Sequence, residues 1–318
     1  MAVTIRDVAR ASGVHVSTVS RTFSAPHLVN AETRTRVLAV ADDLGYRPNR
    51  AARALTTGRT HNLGLIVADI ANPFFSSLIK AAQAQARLRD YHVFVADTDE
   101  DPQVEEELIQ AFAKQVDGVL LCGPRLANST IERLGEQVPL VVVNRRVNDL
   151  PTVLMDVGRG ARQAIEHLVA LGHRRIALVT GPSGSWTSKE MQAAATAGEA
   201  DVVFLGPNPP TELGGRSAVT DVIASGATGV LAYNDLVAIG LMEGLAERDT
   251  QVPRDISVIG VDDILPGRFG SPRLTTIAMP TAAAGRMAVD MLLNPVAPGV
   301  TTLETSLVVR ESTAEARR

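Results

Sequence analysis

The sequence has little cysteine, few aromatic side chains and no long apolar run. Cys122 is the single cysteine among 318 residues, so no disulfide can form within the chain, and a reducing compartment is expected. The chain contains no run of about 18 apolar residues, which argues against a membrane-spanning helix. The first residues, MAVTIRDVAR, are charged and lack the apolar core of an export signal, so we expect a cytoplasmic protein without a membrane partner.

Only the first 60 residues carry a positive net charge. The formal charge of the whole sequence is −4, whereas residues 1–60 hold nine arginines against four acids, a charge of +5. The remaining residues therefore carry −9. A small basic segment joined to an acidic body indicates a polyanionic partner for that segment alone, although an arginine-rich solvated surface would have the same charge.

The basic segment begins with the pattern of two helices joined by a tight turn. In IRDVARAS, the apolar and small residues at positions 5, 8, 9 and 12 share one helical face. Thr4 precedes this helix as an N-cap, and Gly13 ends it because glycine adopts a left-handed backbone without strain. A second helix begins near Val16, and Val19 is placed to pack back onto Ala9. This pattern predicts a helix-turn-helix, whose second helix enters the DNA major groove.

Five side chains of the second helix are the candidate DNA contacts. We expect Val16, Ser17 and Arg21 to face base edges, since an arginine can bind guanine O6 and N7 in a bidentate manner. The hydroxyls of Thr18 and Ser20 suit phosphate contacts, which set register without reading sequence. Arg21 considered alone would equally fit an ordinary surface arginine.

Two more helices are predicted in the basic segment. Asn30 caps the first, which carries an apolar stripe in TRVLAVADDL and closes at Gly45. Asn49 caps the second, which is short enough to be marginal in water on its own. Ala52 and Leu55 share one face of this helix, and an exposed leucine beside arginines can wedge between base steps of the minor groove. A plain linker helix is the alternative interpretation.

The motif order resembles that of the lactose-repressor (LacI/GalR-type) family over essentially the whole chain. The motifs are TIRDVARASGVHVSTVSR, LVNAETRTRVLAVADDLGYRPNRAARAL and NLGLIVADIANPFF. The resemblance implies that Leu55 is a hinge-helix wedge, while His15 replaces the usual serine at one phosphate-contacting position. The predicted DNA-binding residues are Thr4, Val16, Ser17, Thr18, Ser20, Arg21, Asn30, Asn49, Ala52 and Leu55.

From residue 61 onward, apolar runs such as LGLIVAD, GVLLCG and ISVIGVDD alternate with helix-length segments. This alternation predicts parallel sheets covered by helices on both faces, and the nine runs suggest two lobes. The resemblance adds a type I periplasmic-binding-protein-like body that the chain crosses three times. We therefore expect an all-α helix-turn-helix head at 1–47, a hinge helix and linker at 48–60, and a two-lobed α/β effector-binding and dimerisation domain at 61–318.

Rings and polar groups gather at the carboxyl ends of the predicted strands, where parallel sheets bind ligands. Aromatic residues form only 3% of the chain, yet Phe74, Phe75 and the sole tryptophan, Trp186, lie at such ends. Each could be a cap or core group, but together they suit a polyhydroxylated ligand. The resemblance places all but Trp186 at effector-lining positions. The predicted effector-binding residues are Phe74, Phe75, Asn144, Arg145, Trp186, Asn234, Asp235 and Asp262.

The predicted effector site departs from the family pattern at one position. Met191 stands where the family carries an arginine that grips effector oxygens, and the segment MQAAATAGEADVV is several residues short. We therefore expect a sugar-like effector to bind more weakly here than in relatives.

Signals for catalysis are missing from the sequence. GPSGS lacks the phosphate-loop form, there is no G-x-S-x-G motif, and the six histidines lack metal-binding spacing, so no catalytic residue, metal or cofactor is expected. The favoured interpretation is a non-enzymatic transcriptional repressor. It would bind a pseudo-palindromic double-stranded DNA operator as a homodimer, under control of a carbohydrate-like effector. The alternative is a cytoplasmic sugar-binding or sugar-processing α/β protein whose head mediates assembly.

Overall fold

The chain divides into two units, Met1–Thr60 and His61–Arg318, which we name the head and the body. The computed structural model describes residues 3–47, 58–198, 200–294 and 299–317. The predicted DNA contacts Asn49, Ala52 and Leu55 lie outside the described residues and stay predictions.

The head folds as the helix-turn-helix that its sequence predicts. A short 3₁₀ helix, Pro26–Leu28, separates the second and third of its helices, which are α1 (Ile5–Ser12), α2 (Val16–Ser24) and α3 (Ala31–Asp43). Gly13 has a φ of 65° and ends α1 in the left-handed conformation that the turn requires. A small core holds the three helices together, formed by Val8, Ala9, Val19, Val37, Ala41 and Tyr46.

The body contains twelve strands within the described residues. In chain order they are β1 (Asn62–Val67), β2 (His92–Asp97), β3 (Val119–Cys122), β4 (Leu140–Val143), β5 (Thr152–Met155), β6 (Arg175–Val179), β7 (Asp201–Leu205), β8 (Gly229–Ala232), β9 (Ser257–Asp262), β10 (Thr275–Ala278), β11 (Val300–Leu303) and β12 (Ser306–Val308). The nine apolar runs of the sequence correspond to β1–β4 and β6–β10. The three short strands β5, β11 and β12 were not predicted.

Within the described part of the body, nine helices alternate with these strands. They are α4 (Pro73–Arg87), α5 (Pro102–Phe112), α6 (Asn128–Gly135), α7 (Val157–Ala170), α8 (Trp186–Thr196), α9 (Glu212–Ser225), α10 (Asp235–Ala246), α11 (Leu265–Phe269) and α12 (Thr281–Leu293). Most begin with a side-chain cap at a strand's carboxyl end. Asn72, for example, accepts a hydrogen bond from the backbone N–H of Phe74 at 3.0 Å.

Two six-stranded sheets form the lobes, as expected. The sheet of the N-lobe has the order β11-β5-β4-β3-β1-β2, and the sheet of the C-lobe has the order β12-β10-β9-β8-β6-β7. The chain therefore passes between lobes after β5, after β10 and after β11, which confirms the three crossings implied by the family resemblance. The pairing is parallel except at one edge, where β12 runs antiparallel to β10. Central strands such as β3 and β4 are buried throughout, which explains their uninterrupted apolar sequences.

Glycines let helices approach one another closely in the C-lobe. A Cβ on Gly240 of α10 would lie 1.9 Å from the carbonyl oxygen of Glu212 in α9. A Cβ on Gly215 of α9 would lie 2.1 Å from the carbonyl oxygen of Val237 in α10. Because both neighbours are backbone atoms of a helix, neither can move aside cheaply. The two helices can pack this closely only because Gly215 and Gly240 have no side chain.

The described residues contain no group of three or more histidine, cysteine, aspartate or glutamate side chains arranged to hold a metal ion. None of the described helices combines the length and hydropathy that a bilayer span requires. Cys122 is buried in β3, and burial raises the pKa of its thiol, so the side chain acts as a small apolar core group.

Replacement of Gly240 by alanine should strongly destabilise the body. The added Cβ overlaps the backbone of α9, so we expect Gly240→Ala to lower the free energy of unfolding by about 3 kcal/mol, as measured by urea denaturation of the full chain. Gly198→Ala is the control, because its Cβ would have no neighbour closer than 3.9 Å, and it should stay within about 0.5 kcal/mol of the parent. Equal stabilities of the two variants would contradict the close-packing argument.

Candidate functional site

Several of the predicted DNA contacts lie on the exposed face of α2. Ser17, Ser20, Arg21 and Ser24 are all exposed, and their spacing places them on one side of the helix. Val19 and Thr22 on the opposite side are buried in the head core. Among the described head residues, 3–47, the Arg21 guanidinium has no ion-pair partner, so its donors are available to a ligand.

Val16 and Thr18 lie on the flanks of this face rather than at its centre. Both are half-buried, and Val16 packs against the head core. Ser24 belongs to the face but was missed, although its position seven residues after Ser17 was a usable signal. Its hydroxyl donates to the carbonyl oxygen of Ser20 at 2.9 Å. Ser17, Ser20 and Arg21 therefore form the best-presented part of the predicted base-reading and phosphate-binding set.

His15 caps the N-terminus of α2. Its Nδ1 accepts a hydrogen bond from the backbone N–H of Ser17 at 3.3 Å and lies 2.9 Å from the Ser17 hydroxyl. The imidazole thus takes the part that a serine or aspartate side chain usually has at a helix start. The Ser17 hydroxyl is exposed, and it also lies within hydrogen-bond distance of the His15 ring.

Thr4 and Asn30 serve at the starts of the other two head helices. The backbone N–H and the hydroxyl of Thr4 donate to the Asp7 carboxylate at 3.0 and 2.7 Å, and these bonds lower the pKa of Asp7. The Asn30 side chain accepts from the backbone N–H of Glu32 at 2.9 Å. Both predicted caps are confirmed, and both residues fix the helices that frame α2.

A narrow cleft lies where the carboxyl ends of strands from both sheets meet. Its volume is about 40 Å³. Its walls combine two phenylalanines with carboxylate, amide, hydroxyl and guanidinium groups. The lining residues are Asn72, Phe74, Phe75, Glu100, Gly123, Arg125, Asn144, Thr187, Pro210, Tyr233, Asn234, Asp262 and Met279.

Five of the eight residues predicted for the effector site line this cleft: Phe74, Phe75, Asn144, Asn234 and Asp262. The phenylalanine rings pack edge to face, with centroids 4.9 Å apart. The Asn234 side chain is committed to the fold, because it accepts from the backbone N–H of Val237 at 2.8 Å and donates to the carbonyl oxygen of Pro210 at 2.9 Å.

The other three predicted residues lie elsewhere. The Arg145 guanidinium turns to Asn128 Oδ1 and to the carbonyl oxygen of Pro124, at 2.7 and 3.0 Å. Trp186, the first residue of α8, packs against the hydrophobic core, and its neighbour Thr187 reaches the cleft instead. Successive residues of a helix point about 100° apart, so Trp186 and Thr187 cannot share one direction.

Asp235 is a core group and not a cleft residue, which corrects the third prediction. Its carboxylate accepts from the Thr276 hydroxyl at 2.6 Å and from the backbone N–H of Ile264 at 2.8 Å. The residue is fully buried. Burial raises its pKa to about 7, although both hydrogen bonds lower it. Asp235 therefore ties α10 to β10 and to the loop after β9.

Arg125, which follows β3 in the loop before α6, is the principal cleft residue that sequence reasoning missed. Its Nε and Nη2 donate to the Glu100 carboxylate at 2.5 and 3.0 Å, and its Nη1 donates to the carbonyl oxygen of Gly123 at 2.7 Å. The Arg125 side chain is only 11% exposed. Such a desolvated cation requires these partners, because an unpaired buried charge is strongly destabilising.

Glu105 holds the loop that carries Arg125. This residue lies in the first turn of α5 and is buried. Its carboxylate accepts from the backbone N–H groups of Arg125 and Leu126, at 2.7 and 3.4 Å. Burial raises the pKa of Glu105, while the two backbone hydrogen bonds lower it. The loop that carries the cation is thus fixed by a second carboxylate.

Asn144 joins the two lobes across the cleft. Its Nδ2 donates to Thr187 Oγ1 at 3.2 Å, so the end of β4 in the N-lobe is bonded to the start of α8 in the C-lobe. Asn144 is 8% exposed, and its Oδ1 has no hydrogen-bond partner among the described residues. A buried acceptor without a donor is energetically costly.

Three polar residues of the cleft have left-handed backbones. The φ angles are 62° at Glu100, 61° at Asn144 and 116° at Asp262. Residues other than glycine rarely adopt such angles, and those that do are concentrated at functional sites. Three of the nine described non-glycine residues with a positive φ therefore line the cleft.

The glycine-rich segment after β6 serves packing rather than phosphate binding. A Cβ on Gly181 would lie 2.4 Å from the ring of Tyr233, so only glycine fits beside that ring. The Tyr233 hydroxyl lies 2.9 Å from Ser185 Oγ, which also caps α8. Met191, for which the family resemblance implied an effector-gripping arginine, is 1% exposed and belongs to the core.

A wider groove of about 1110 Å³ lies on the C-lobe and shares no lining residue with the cleft. Ile239, Met242 and Phe269 supply its apolar wall, and Phe269 is 78% exposed. Despite its volume, the groove lacks the convergent buried polar groups of the cleft. Its exposed apolar character suits a protein partner better than a small ligand.

Comparisons with protein families cover both units of the chain. A family model described as periplasmic binding proteins and sugar binding domain of the LacI family matches residues 60–315. A second, described as bacterial regulatory proteins of the lacI family, matches residues 4–49.

Individual relatives agree with these matches. The HTH-type transcriptional regulator GalS of Salmonella typhimurium is 31% identical over 306 residues, which span 92% of this chain and 89% of GalS. The structure of the lac repressor dimer bound to operator and the anti-inducer ONPF aligns with a TM-score of 0.89 at 27% identity, over 99% of this chain and 100% of that one. A LacI-family regulator from Enterococcus faecalis with bound ribose aligns with a TM-score of 0.74 at 28% identity, over 80% and 100% of the two chains.

The buried carboxyl of Asp235 should make stability depend on pH. Its pKa is about 7 in the folded chain against 3.8 for an ordinary aspartate, so the folded state keeps a proton that the unfolded state releases between these values. The free energy of unfolding therefore falls as pH rises from about 4 to 7, by on the order of 1 kcal/mol for each pH unit from this group.

Asp235→Asn should remove that contribution and flatten the dependence. The amide can accept from Ile264 and donate to Thr276 Oγ1, so both hydrogen bonds are retained. Urea unfolding at several pH values between 4 and 7 measures the slope. The exposed Asp221 supplies the control variant, Asp221→Asn, which should keep the parental slope. The same slope for Asp235→Asn and the parent would refute the assignment.

Proposed function

The chain belongs to the LacI family of bacterial regulatory proteins, and from this membership we propose that it is a sequence-specific, DNA-binding repressor controlled by a small hydroxylated effector. The observation that carries the proposal is the α2 face, where Arg21 presents uncommitted donors beside exposed serine hydroxyls. An arginine so presented suits the O6 and N7 atoms of guanine in the major groove. As a regulator of chromosomal DNA, the protein would act in the cytoplasm.

The residues of the head have distinct proposed roles. Arg21 and Ser17 would read base edges, with Val16 in apolar contact at the flank. Thr18 and Ser20 would bind phosphates, and Ser24 extends the same face. Thr4 and Asn30 would position backbone N–H groups of helix starts toward the DNA backbone. Asn49, Ala52 and Leu55 remain minor-groove candidates on the strength of the family resemblance.

A homodimer is the proposed assembly, because one small head buries too little surface to bind an operator tightly. The similar lac repressor structure is a dimer on its operator, which supports two half-sites related by two-fold symmetry. In this chain the apolar C-lobe groove around Phe269 is a surface that a second copy can cover.

The cleft is the proposed effector site. Phe74, Phe75, Asn144 and Asp262 would contact the ligand, and the ribose bound to the similar Enterococcus faecalis regulator supports a hydroxylated compound. A ligand that changes how the lobes close would alter the separation of the two heads through the linker at 48–60. The regulatory character of the relatives favours this proposal over a sugar-processing protein, and we assign no catalytic step to the cleft.

Arg21→Ala should reduce operator selectivity more than general DNA affinity. Loss of a bidentate base contact should weaken operator binding by about 1–3 kcal/mol, roughly tenfold to a hundredfold, as measured by fluorescence anisotropy on operator and scrambled duplexes. Arg36→Ala removes an equal charge from the exposed surface of α3 and should weaken both duplexes alike. If the two variants lose selectivity equally, base reading by Arg21 is ruled out.

Phe269→Glu should weaken the homodimer. A charge in the middle of an apolar interface leaves a desolvated carboxylate, so we expect self-association to weaken at least about tenfold in sedimentation velocity. Val169→Glu places the same charge at a partly exposed position of α7 and should leave the dimer intact. If Phe269→Glu dimerises as well as the parent, the homodimer must use another face of the body.

A further inference from the structure

His15 and Ser17 lie together at the start of α2, on the part of the head that the proposed function directs toward DNA. The backbone N–H of Ser17 donates to His15 Nδ1 at 3.3 Å, and the Ser17 hydroxyl oxygen lies 2.9 Å from the same nitrogen. Both residues are exposed. Two groups of Ser17 thus meet one ring nitrogen, and whether that nitrogen carries a proton decides what the hydroxyl can do.

The backbone contact determines the tautomer of the His15 ring. A backbone N–H can only donate, so Nδ1 must present its lone pair and cannot itself carry a proton. An imidazole with an unprotonated Nδ1 carries its proton on Nε2. A proton on Nδ1 would also leave the N–H of Ser17, in the first turn of α2, without this acceptor.

The Ser17 hydroxyl is therefore the donor in its contact with the ring. Its proton is used within the chain, while its oxygen keeps lone pairs for other partners. Ser17 consequently meets an outside partner as an acceptor. Ser20 differs, because its hydroxyl has no hydrogen-bond partner among the described head residues, 3–47, and can turn either to donate or to accept.

The groups that DNA presents in the major groove differ in this same property. Adenine N6 and cytosine N4 are amino groups that donate, whereas thymine O4 and guanine O6 are carbonyl oxygens that accept. A serine that turns freely can bond to either kind of base. Ser17 can donate to a carbonyl oxygen only if it gives up its bond to His15, and the lost bond makes that contact weaker.

We propose that His15 fixes Ser17 as a hydrogen-bond acceptor, so that Ser17 binds the amino group of an adenine or cytosine and discriminates against the carbonyl oxygen of a guanine or thymine. His15 is then a positioning residue for the base contact. The inference rests on the proposed function, and it specifies one base contact of α2. It also separates Ser17 from the phosphate-binding hydroxyls, because a phosphate oxygen requires a donor.

Arg21 complements Ser17 on the same face of α2. The two residues are four positions apart, so their side chains are neighbours one turn from each other. A guanidinium can only donate, which suits O6 and N7 of guanine, whereas Ser17 is held as an acceptor. The helix therefore presents two base-reading groups of opposite hydrogen-bond polarity, and neither can replace the other.

Duplexes that lack a single amino group test the inference with the full-length protein. The base pair at which Ser17→Ala alters the selected operator identifies the Ser17 contact. At that pair, purine replaces adenine, or 2-pyrimidinone replaces cytosine, so that only the amino group is lost. We expect operator binding by the parent to weaken about two- to tenfold in fluorescence anisotropy, and binding by Ser17→Ala to stay unchanged. Ser20→Ala, which removes a hydroxyl that no histidine holds, is the control and should show the parental loss.

His15→Gly tests the role of the ring itself. Glycine is tolerated at an N-cap, so α2 is retained, while the Ser17 hydroxyl loses its acceptor and can turn to donate. Exchange of the amino base for the carbonyl base of the same ring type, guanine for adenine or thymine for cytosine, should weaken the parent about two- to tenfold. The same exchange should weaken His15→Gly by less than about twofold. Thermal unfolding establishes that the variant is folded.

The outcomes distinguish this inference from the proposed function. If loss of the amino group costs the parent nothing, or if Ser17→Ala keeps the parental preference at every pair, the inference is overturned and the proposed function stands. Equal discrimination by the parent and by folded His15→Gly also overturns it, because the ring then does not fix the hydroxyl. A parent that selects no operator contradicts the proposed function on which the inference rests.

Discussion

The ion pair between Arg125 and Glu100 is the interaction on which the arrangement of the cleft depends. A guanidinium that is nearly removed from water must have acceptors on its nitrogens, and the chain supplies them from Glu100 and the backbone of Gly123. Glu105 fixes the loop that carries the cation. The bonds to Glu100 and Gly123 use three of the five N–H groups of the guanidinium, so two N–H donors of Arg125 remain.

The fold brings these groups together because parallel sheets collect their polar residues at one edge. Asn144 follows β4 in the N-lobe and Thr187 lies at the start of α8 in the C-lobe, so their hydrogen bond links the lobes at the cleft itself. Left-handed backbones at Glu100, Asn144 and Asp262 turn the side chains at three strand ends. A ligand that displaced Thr187 from Asn144 would therefore break a contact between the lobes.

Much of this architecture could be predicted from the sequence, because helix caps, the Gly13 turn and the apolar strand runs are local signals. The strands β5, β11 and β12 were not predicted. No residue of β11 or β12 is buried, so these two strands lack the apolar run that marks a central strand. Among site residues, Arg125 was missed because its role depends on Glu100, which is distant in sequence. Asp235 was misassigned because it adjoins Asn234 in the chain, although helix geometry turns the two side chains in different directions.

The central claim is that the head binds DNA in a sequence-specific manner. Selection of genomic fragments by the full-length protein at near-physiological ionic strength, ~0.15 M, followed by footprinting, tests this claim most directly. The account predicts strong enrichment of a few fragments, each with a protected pseudo-palindrome composed of two half-sites. Fragments bound no better than bulk duplex DNA, both with and without added sugars, would contradict it.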